Sequence, residues 1–181
     1  MRNFYSFIVI LSLLFISFVA EESSKIKDYN PEQKLEELGI QLSSPSSPVA
    51  NYVNTVRTGN LVFISGKGPL KSDGNYVLGK LGENLTLEQG YEAARLTAIN
   101  LISTLKASIG DLSKVKRIVR VTGMVNATSD FTDHPKVVNG CSDLLVEVFG
   151  DNGKHTRAAV GMNSLPLNIA VEIDMVVEVF N

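Results

Sequence analysis

The sequence predicts an α+β fold in which two helices cover one face of a mixed β-sheet. Strict alternation of apolar and polar residues marks the last strand, from Ile169 to Phe180. Apolar residues at steps of three and four mark a long helix before Gly110: Tyr91, Ala94, Ala98, Leu101, Leu105 and Ile109. The predicted order is strand, strand, a short third strand, helix, strand, helix, strand, strand, which favours a two-layer design with one open sheet face.

The predicted strands and helices have clear boundary signals. Thr58-Gly59-Asn60 indicates a tight turn between the first two strands, Val49–Arg57 and Leu61–Ser65. The short third strand is Tyr76–Val77, and a longer one follows at Val115–Val125. The first long helix begins with a capping box, in which Thr86 caps and Gln89 reaches back. The second helix runs from His134 to Phe149, with Asp133 as its cap and Pro135 in its first turn.

The last two strands are predicted to form a hairpin. Its arms are Arg157–Gly161 and Ile169–Phe180, and Asn163–Pro166 carries turn residues between them. If the turn centre lies between Ser164 and Leu165, Arg157 and Glu172 are directly opposite each other, on the face away from the core. This pair is either a plain surface salt bridge, usually worth under ~1 kcal/mol, or part of a functional site.

Composition bounds the class of protein. The chain has 181 residues with 44% hydrophobic and 20% charged side chains, which is typical of one globular domain. Its net charge of −2 gives it no general attraction for nucleic acid or for an anionic membrane. The single cysteine, Cys141, excludes an intrachain disulfide and lies on the apolar stripe of the second helix, so we expect it to be buried.

Residues 1–20 have the pattern of a secretory signal peptide. Arg2 is followed by an almost wholly apolar run from Phe7 to Ala20, which is short for a membrane span. An uncleaved anchor is the alternative. We expect a secreted protein without stable membrane insertion, in which residues 21–48 form a linker with a short helical arm at Pro31–Leu42. In the secretory pathway the sequons at Asn84 and Asn126 would become candidate glycosylation sites.

Several common functional motifs are missing from the sequence. There is no phosphate-binding loop, no dinucleotide fingerprint and no Ser-His-Asp arrangement. His134 and His155 are not spaced like metal ligands, and we expect no metal site. The basic residues Lys114, Lys116, Arg117 and Arg120 lack interleaved aromatics, which indicates a solvated strand edge and no nucleic-acid partner.

Five short motifs resemble the YjgF family, also called the Rid (reactive intermediate deaminase) family. Tyr52 follows a proline-containing loop, and Ile64-Ser65-Gly66 matches an I-S-G motif. Asp130-Phe131 and Val138-Asn139 match D-F and V-N elements, with three extra residues between them. Most specific is the run from Thr156-Arg157-Ala158 through Leu165-Pro166 to Val171-Glu172-Ile173, which resembles the closing A-R-x-x-V…L-P…[VI]-E-I signature. The resemblance covers a domain at residues 49–181, and the flanking motifs resemble the YjgF/chorismate-mutase-like branch.

The resemblance implies a chorismate-mutase-like fold and a homotrimer with sites at the subunit clefts. It also implies cofactor-independent hydrolysis of 2-imino or 2-enamino acids, such as 2-aminoacrylate or 2-iminopropanoate, to a 2-ketoacid and ammonia. By resemblance, Arg157 holds the substrate carboxylate and Glu172 is the catalytic residue that positions or activates water. Tyr52, Gly66 and Asn139 match positions that line the pocket.

Alternatives to a deaminase remain open at the level of sequence. Lys67 stands where the family often has glutamine, and it either pairs with Glu172 or adds a second contact to an anion. Some relatives are reported as ribonucleases or translation inhibitors, which an acidic chain with a signal peptide disfavours. A non-catalytic carboxylate binder or a chaperone-like protein is a further alternative, and it predicts that Arg157 and Glu172 are dispensable.

Overall fold

The computed structural model describes residues 30–48 and 50–180. The predicted signal peptide and the first part of the linker lie outside the described residues. Within the described residues, the helices are too short or too polar to cross a membrane.

The predicted α+β architecture is confirmed. Two long helices and one short helix pack with a five-stranded mixed sheet of strand order β1-β2-β5-β3-β4. Only β3 and β4 pair in parallel; the other neighbours are antiparallel. The strands are β1 (Thr55–Thr58), β2 (Leu61–Lys67), β3 (Val115–Asn126), β4 (Thr156–Met162) and β5 (Val171–Val179). The helices are α1 (Pro31–Glu37), α2 (Leu87–Ile109) and α3 (His134–Phe149).

Strand β5 lies at the centre of the sheet, and its predicted alternation is confirmed. Val171, Ile173, Met175, Val177 and Val179 are buried, while Glu172, Asp174, Val176 and Glu178 are half-buried. The buried side faces the helices, which pack on each other and on the sheet to form the core. The other side, which we call the open face, carries the carboxylates.

The helix signals are largely confirmed. Gln89 N donates to Thr86 Oγ1 at 3.2 Å and Thr86 N donates to Gln89 Oε1 at 2.9 Å, which completes the capping box of α2. Pro135 lies in the first turn of α3, and Cys141 is fully buried as expected. Asp133 is the N-cap residue of α3 as predicted, but its side chain makes no capping hydrogen bond and pairs instead with Lys136.

The predicted hairpin between the last two strands is wrong. Strand β3 lies between β4 and β5, so Arg157 is opposite Val121 and Glu172 is opposite Met124. Helix α3 connects β3 to β4, and such a crossover returns the chain parallel to the strand it left. After β4, a 3₁₀ turn at Pro166–Asn168 carries the chain past β3 to the centre of the sheet.

Other segments differ from prediction at their boundaries. Helix α1 ends at Glu37, before Gly39, and β1 begins only at Thr55. Beyond Lys67, the segment around Tyr76 makes an isolated bridge to Leu70 and no regular strand. The sequon residue Asn126 is fully buried, and its Nδ2 donates to Gly79 O, Ile169 O and Asn168 Oδ1. Folded protein therefore cannot accept a glycan at Asn126, whereas Asn84 is exposed.

Candidate functional site

Gly66 and Glu172 meet on the open face of the sheet, beside an irregularity in β2. Ile64 pairs with Met175 and Lys67 with Ile173, so two residues of β2 oppose one of β5, as in a β-bulge. A Cβ atom on Gly66 would overlap Glu172 Oε1 and lie 3.0 Å from Glu172 Cδ. The carboxylate therefore occupies the space that a side chain at residue 66 would need.

Glu172 is a half-buried carboxylate without an ionic partner among the described residues. Burial raises the pKa of the Glu172 carboxyl, and the nearby charge of Asp174 raises it further. Its neighbours across the sheet are the apolar side chains of Met124 and, one strand further, Val160. A carboxyl group in such surroundings exchanges a proton closer to neutral pH than an exposed glutamate does.

Tyr52 lies alongside this bulge. Two residues after it, Asn54 O accepts a hydrogen bond from Ser65 N at 3.0 Å, and Val53 O accepts from Ser65 Oγ at 2.6 Å. The Tyr52 side chain is 48% exposed. Gly66 and Glu172 are called the glutamate cluster below, and Tyr52 lies on the segment that precedes β1 beside it.

Lys67 does not belong to the glutamate cluster, and both predicted roles for it are wrong in this chain. It lies opposite Ile173, which points towards the helices, and it lines a small cavity with Asn100, Ser103 and Thr104 of α2. Its Nζ donates to Asn54 Oδ1, and burial lowers the pKa of its ammonium group. Lys67 therefore neither pairs with Glu172 nor adds a contact for an anion beside it.

Arg157 and Asn139 meet at the other side of the molecule, between the edge strand β4 and helix α3. Arg157 Nη1 donates to Asn139 Oδ1 at 2.8 Å and to Ser142 Oγ at 2.9 Å. Arg157 Nη2 makes a longer contact of 3.5 Å with Pro135 O. Arg157, Asn139, Ser142 and His155 are called the arginine cluster below.

These contacts leave one edge of the guanidinium available. Both hydrogens of Nη1 are engaged by α3, and within residues 30–48 and 50–180 no hydrogen bond of Arg157 Nε is found. Nε and Nη2 form the side-on edge of the guanidinium, which matches the two oxygens of a carboxylate. Because the Arg157 side chain is exposed, a ligand can reach this edge from solvent.

Sequence reasoning missed Ser142 and His155. His155 Nε2 lies 3.0 Å from Ser142 Oγ, and His155 Nδ1 lies 2.6 Å from Gly153 O. A signal was present for Ser142, because residues three apart on a helix share a face and Ser142 follows Asn139 by three. His155 lies just before β4, so strand periodicity does not indicate it.

The two clusters are not one site within a single chain. Their strands are separated by β3, and the residues opposite Arg157 and Glu172 are three positions apart on it. With 3.3 Å per residue and 4.8 Å between strands, the two Cα atoms are about 14 Å apart. Arg157 faces α3, whereas Glu172 lies on the open face, so one small ligand cannot touch both.

The open face carries exposed apolar side chains in two rows. Val56 and Phe63 are 55% and 44% exposed, and they form one row with Val176 across three strands. Val160, 42% exposed, forms a second row with Met124 and Glu172. Contiguous apolar surface of this kind usually marks an interaction site.

The fold defines a protein of the chorismate-mutase-like class, since two long helices pack on one face of a sheet whose central strand is buried. The two clusters lie on this framework. Residues 32–179 match a family described as "YjgF/chorismate_mutase-like, putative endoribonuclease". The chain belongs to this YjgF family, so the family resemblance predicted from the motifs is confirmed.

Three relatives illustrate the similarity. Protein TCP17 of Trypanosoma cruzi is 42% identical over 148 residues, which cover 81% of this chain and 92% of TCP17. The crystal structure of Atu1372 from Agrobacterium tumefaciens, a protein of unknown function, is 40% identical, with a TM-score of 0.78 over 87% of this chain and 96% of that chain. A Shewanella oneidensis protein described as "a putative endoribonuclease" is 34% identical, with a TM-score of 0.80 over 83% and 99% of the two chains.

Proposed function

We propose that this protein hydrolyses 2-imino and 2-enamino acids, such as 2-iminopropanoate and 2-aminoacrylate, to a 2-ketoacid and ammonia. The observation that carries the proposal is the open Nε–Nη2 edge of Arg157, held towards solvent by the two contacts of Nη1. A substrate this small offers few groups for recognition, and its carboxylate is the one that a guanidinium binds bidentately.

Glu172 is the proposed acid and base. The ionised carboxylate takes a proton from water as the water oxygen bonds to C2 of the iminium and the C=N π pair moves to nitrogen. The carboxyl group then returns the proton to nitrogen. Ammonia leaves as the C2–N bond breaks, and the carboxylate takes the proton of the C2 hydroxyl, which becomes the ketone. An enamine first needs a proton on C3, which the same carboxyl supplies. Because burial raises the pKa of Glu172, both of its protonation states are accessible closer to neutral pH.

The proposed site is composite and lies between the subunits of a homotrimer. The arginine cluster and the glutamate cluster are too far apart to act on one substrate within a chain. The apolar rows of the open face favour burial against another copy, and a ring of identical chains repeats one such contact. In this arrangement Arg157 of one subunit and Glu172 of the next face the same cleft. Sedimentation of purified protein as a monomer at micromolar concentration would contradict the assembly.

The proposed activity is tested by supplying an iminoacid that an amino acid oxidase generates in the assay. We expect the protein to accelerate release of 2-ketoacid and ammonia in equal amounts above the spontaneous rate. The control is the same mixture with Glu172→Gln protein. Equal rates with wild-type protein and with no protein would refute the hydrolase.

A non-catalytic carboxylate binder is the main alternative, because the arginine cluster would suffice for it. Wild-type protein that binds pyruvate but leaves the rate of imine hydrolysis unchanged would favour this alternative.

Ribonuclease activity is the second alternative, because the family description names it. The net charge of −2 disfavours binding of a polyanion. Cleavage of RNA that falls steeply with salt and survives Arg157→Ala would favour it.

A further inference from the structure

Arg157 stands on an exposed edge strand, where a long side chain would otherwise sample many rotamers. Its Nη1 is held at two points by α3, through Asn139 Oδ1 at 2.8 Å and Ser142 Oγ at 2.9 Å. Asn139 can offer its carbonyl oxygen directly. Ser142, in contrast, carries one hydrogen of its own, so a partner for that hydrogen decides how its lone pairs point.

His155 is the partner that orients the Ser142 hydroxyl. Gly153 O can only accept, so the 2.6 Å contact with His155 Nδ1 requires the hydrogen to be on Nδ1. In neutral imidazole Nε2 is then an acceptor, and Ser142 Oγ donates to it at 3.0 Å. The remaining lone pairs of Ser142 Oγ receive the hydrogen of Arg157 Nη1. The hydrogen bonds therefore run in one direction, from Arg157 to Ser142 to His155, while His155 donates to Gly153.

We propose that Ser142 and His155 are positioning residues that hold the Arg157 guanidinium by Nη1 and so present its Nε–Nη2 edge to a ligand carboxylate. This proposal rests on the part of the proposed function that assigns carboxylate binding to Arg157. It does not depend on whether the bound molecule is then hydrolysed.

The same contacts argue against Ser142 as a nucleophile. A serine next to a histidine resembles an activated nucleophile. Here, however, the cationic guanidinium of Arg157 donates to the oxygen that would attack, and a cationic donor withdraws electron density from that oxygen and lowers its nucleophilicity.

The surroundings of His155 favour the neutral ring, which this direction of hydrogen bonds requires. Burial lowers the pKa of His155, the charge of Arg157 lowers it further, and the bond to Gly153 opposes both effects. Lys154 and Asp151, which flank this turn, pair with each other at 2.6 Å. Arg157 is thus the charged group that acts on the ring from β4, and α3 contributes the uncharged side chain of Ser142.

Steady-state kinetics of imine hydrolysis test the proposal in matched variants. We expect Ser142→Ala and His155→Leu each to raise KM about tenfold and to change kcat less than about threefold, because a carboxylate contact acts in ground and transition state alike. Ser142→Thr and His155→Gln, which keep a hydroxyl and an acceptor, should restore most of the affinity. The double variant should raise KM no more than either single change does, because the two substitutions interrupt the same chain of hydrogen bonds. The control is Ser113→Ala, an exposed serine in the 3₁₀ turn Leu112–Lys114 that precedes β3.

Nitrogen NMR of the wild-type protein tests the same proposal without any activity. We expect the neutral Nδ1–H tautomer of His155 at pH 7, and resolved Nη signals of Arg157 that merge in Ser142→Ala as the guanidinium begins to rotate. A neutral Nε2–H tautomer would overturn the proposal. So would Ser142→Ala and His155→Leu variants that lose thermal stability with unchanged KM.

Titration with pyruvate separates the two proposals. Wild-type protein that binds pyruvate but releases no 2-ketoacid from an imine contradicts the proposed function alone. Equal affinity for pyruvate in wild-type and Ser142→Ala protein contradicts the positioning role alone. Wild-type protein that does not bind pyruvate contradicts both.

Discussion

The carboxylate of Glu172 lies beside Gly66, in the space that a side chain at residue 66 would fill. The neighbouring strand β2 is bulged at this position, so the glycine and the carboxylate meet although their strands are not in regular register. A change at Gly66 should therefore act on the position of Glu172 more than on the core.

Gly66→Ala should lower kcat/KM at least about tenfold, which corresponds to ~1.4 kcal/mol of transition-state stabilisation. The added methyl group displaces the flexible end of Glu172, so the melting temperature should change little. Gly123→Ala is the contrasting variant, because its Cβ would lie 2.7 Å from Val138 Cγ1 in the core. Gly123→Ala should lower the melting temperature clearly. Full activity in Gly66→Ala would contradict the placement of Glu172 in the site.

Glu172→Gln should lower kcat by at least about a hundredfold, the lower bound for loss of a general acid–base group. It should also stabilise the protein at neutral pH. Since the pKa of Glu172 is raised by folding, the folded state binds more protons than the unfolded state above the ordinary pKa of a glutamate. The stability of wild-type protein therefore falls as pH rises through the folded pKa, and Glu172→Gln removes this loss.

Melting curves at pH 4 and pH 7.5 measure this difference. The matched control is Glu178→Gln, on the same strand and face, whose carboxylate pairs with Lys116 at 2.7 Å. It should retain activity and gain no stability. A Glu172→Gln variant that melts below wild type at pH 7.5 would refute the electrostatic account of this residue.

Arg157→Ala and Arg157→Lys should both lower kcat/KM at least about tenfold, because lysine keeps the charge but lacks the planar fork. Arg157 forms no ion pair within the described residues, so its removal leaves no buried charge behind. We therefore expect only a small change in melting temperature, measured by calorimetry alongside the kinetics. Wild-type activity in Arg157→Ala would end the catalytic hypothesis.

A mixture of inactive subunits should regain activity if the site is composite. Arg157→Ala and Glu172→Gln chains are mixed in equal amounts, unfolded together and refolded. Random assembly then gives about a quarter of the clefts a native Arg157 from one chain and a native Glu172 from the next, so the mixture should recover about a quarter of wild-type activity. Each variant refolded alone is the control. A mixture no more active than its parts would show that Arg157 and Glu172 do not serve the same cleft from different chains.

The sequence alone determined the elements whose signals are local. The capping box at Thr86 and Gln89 and the alternation of β5 depend on neighbours a few residues away, and both are found as predicted. The motifs around Arg157 and Glu172 were also enough to identify the YjgF family. Period and capping depend on the backbone geometry of one element, so they can be read without knowing what packs against it.

Only the tertiary structure decided which strands are neighbours, and with them the layout of the site. The turn residues Asn163–Pro166 suggested a hairpin, but α3 returns the chain parallel to β3, and β5 then pairs on the far side of β3. Alternation specifies which face a side chain lies on and not which strand lies beside it. For this reason Arg157 and Glu172 belong to separate clusters. The contacts of Arg157 with Asn139 and Ser142, like that of Ser142 with His155, arise from the packing of α3 against the end of β4.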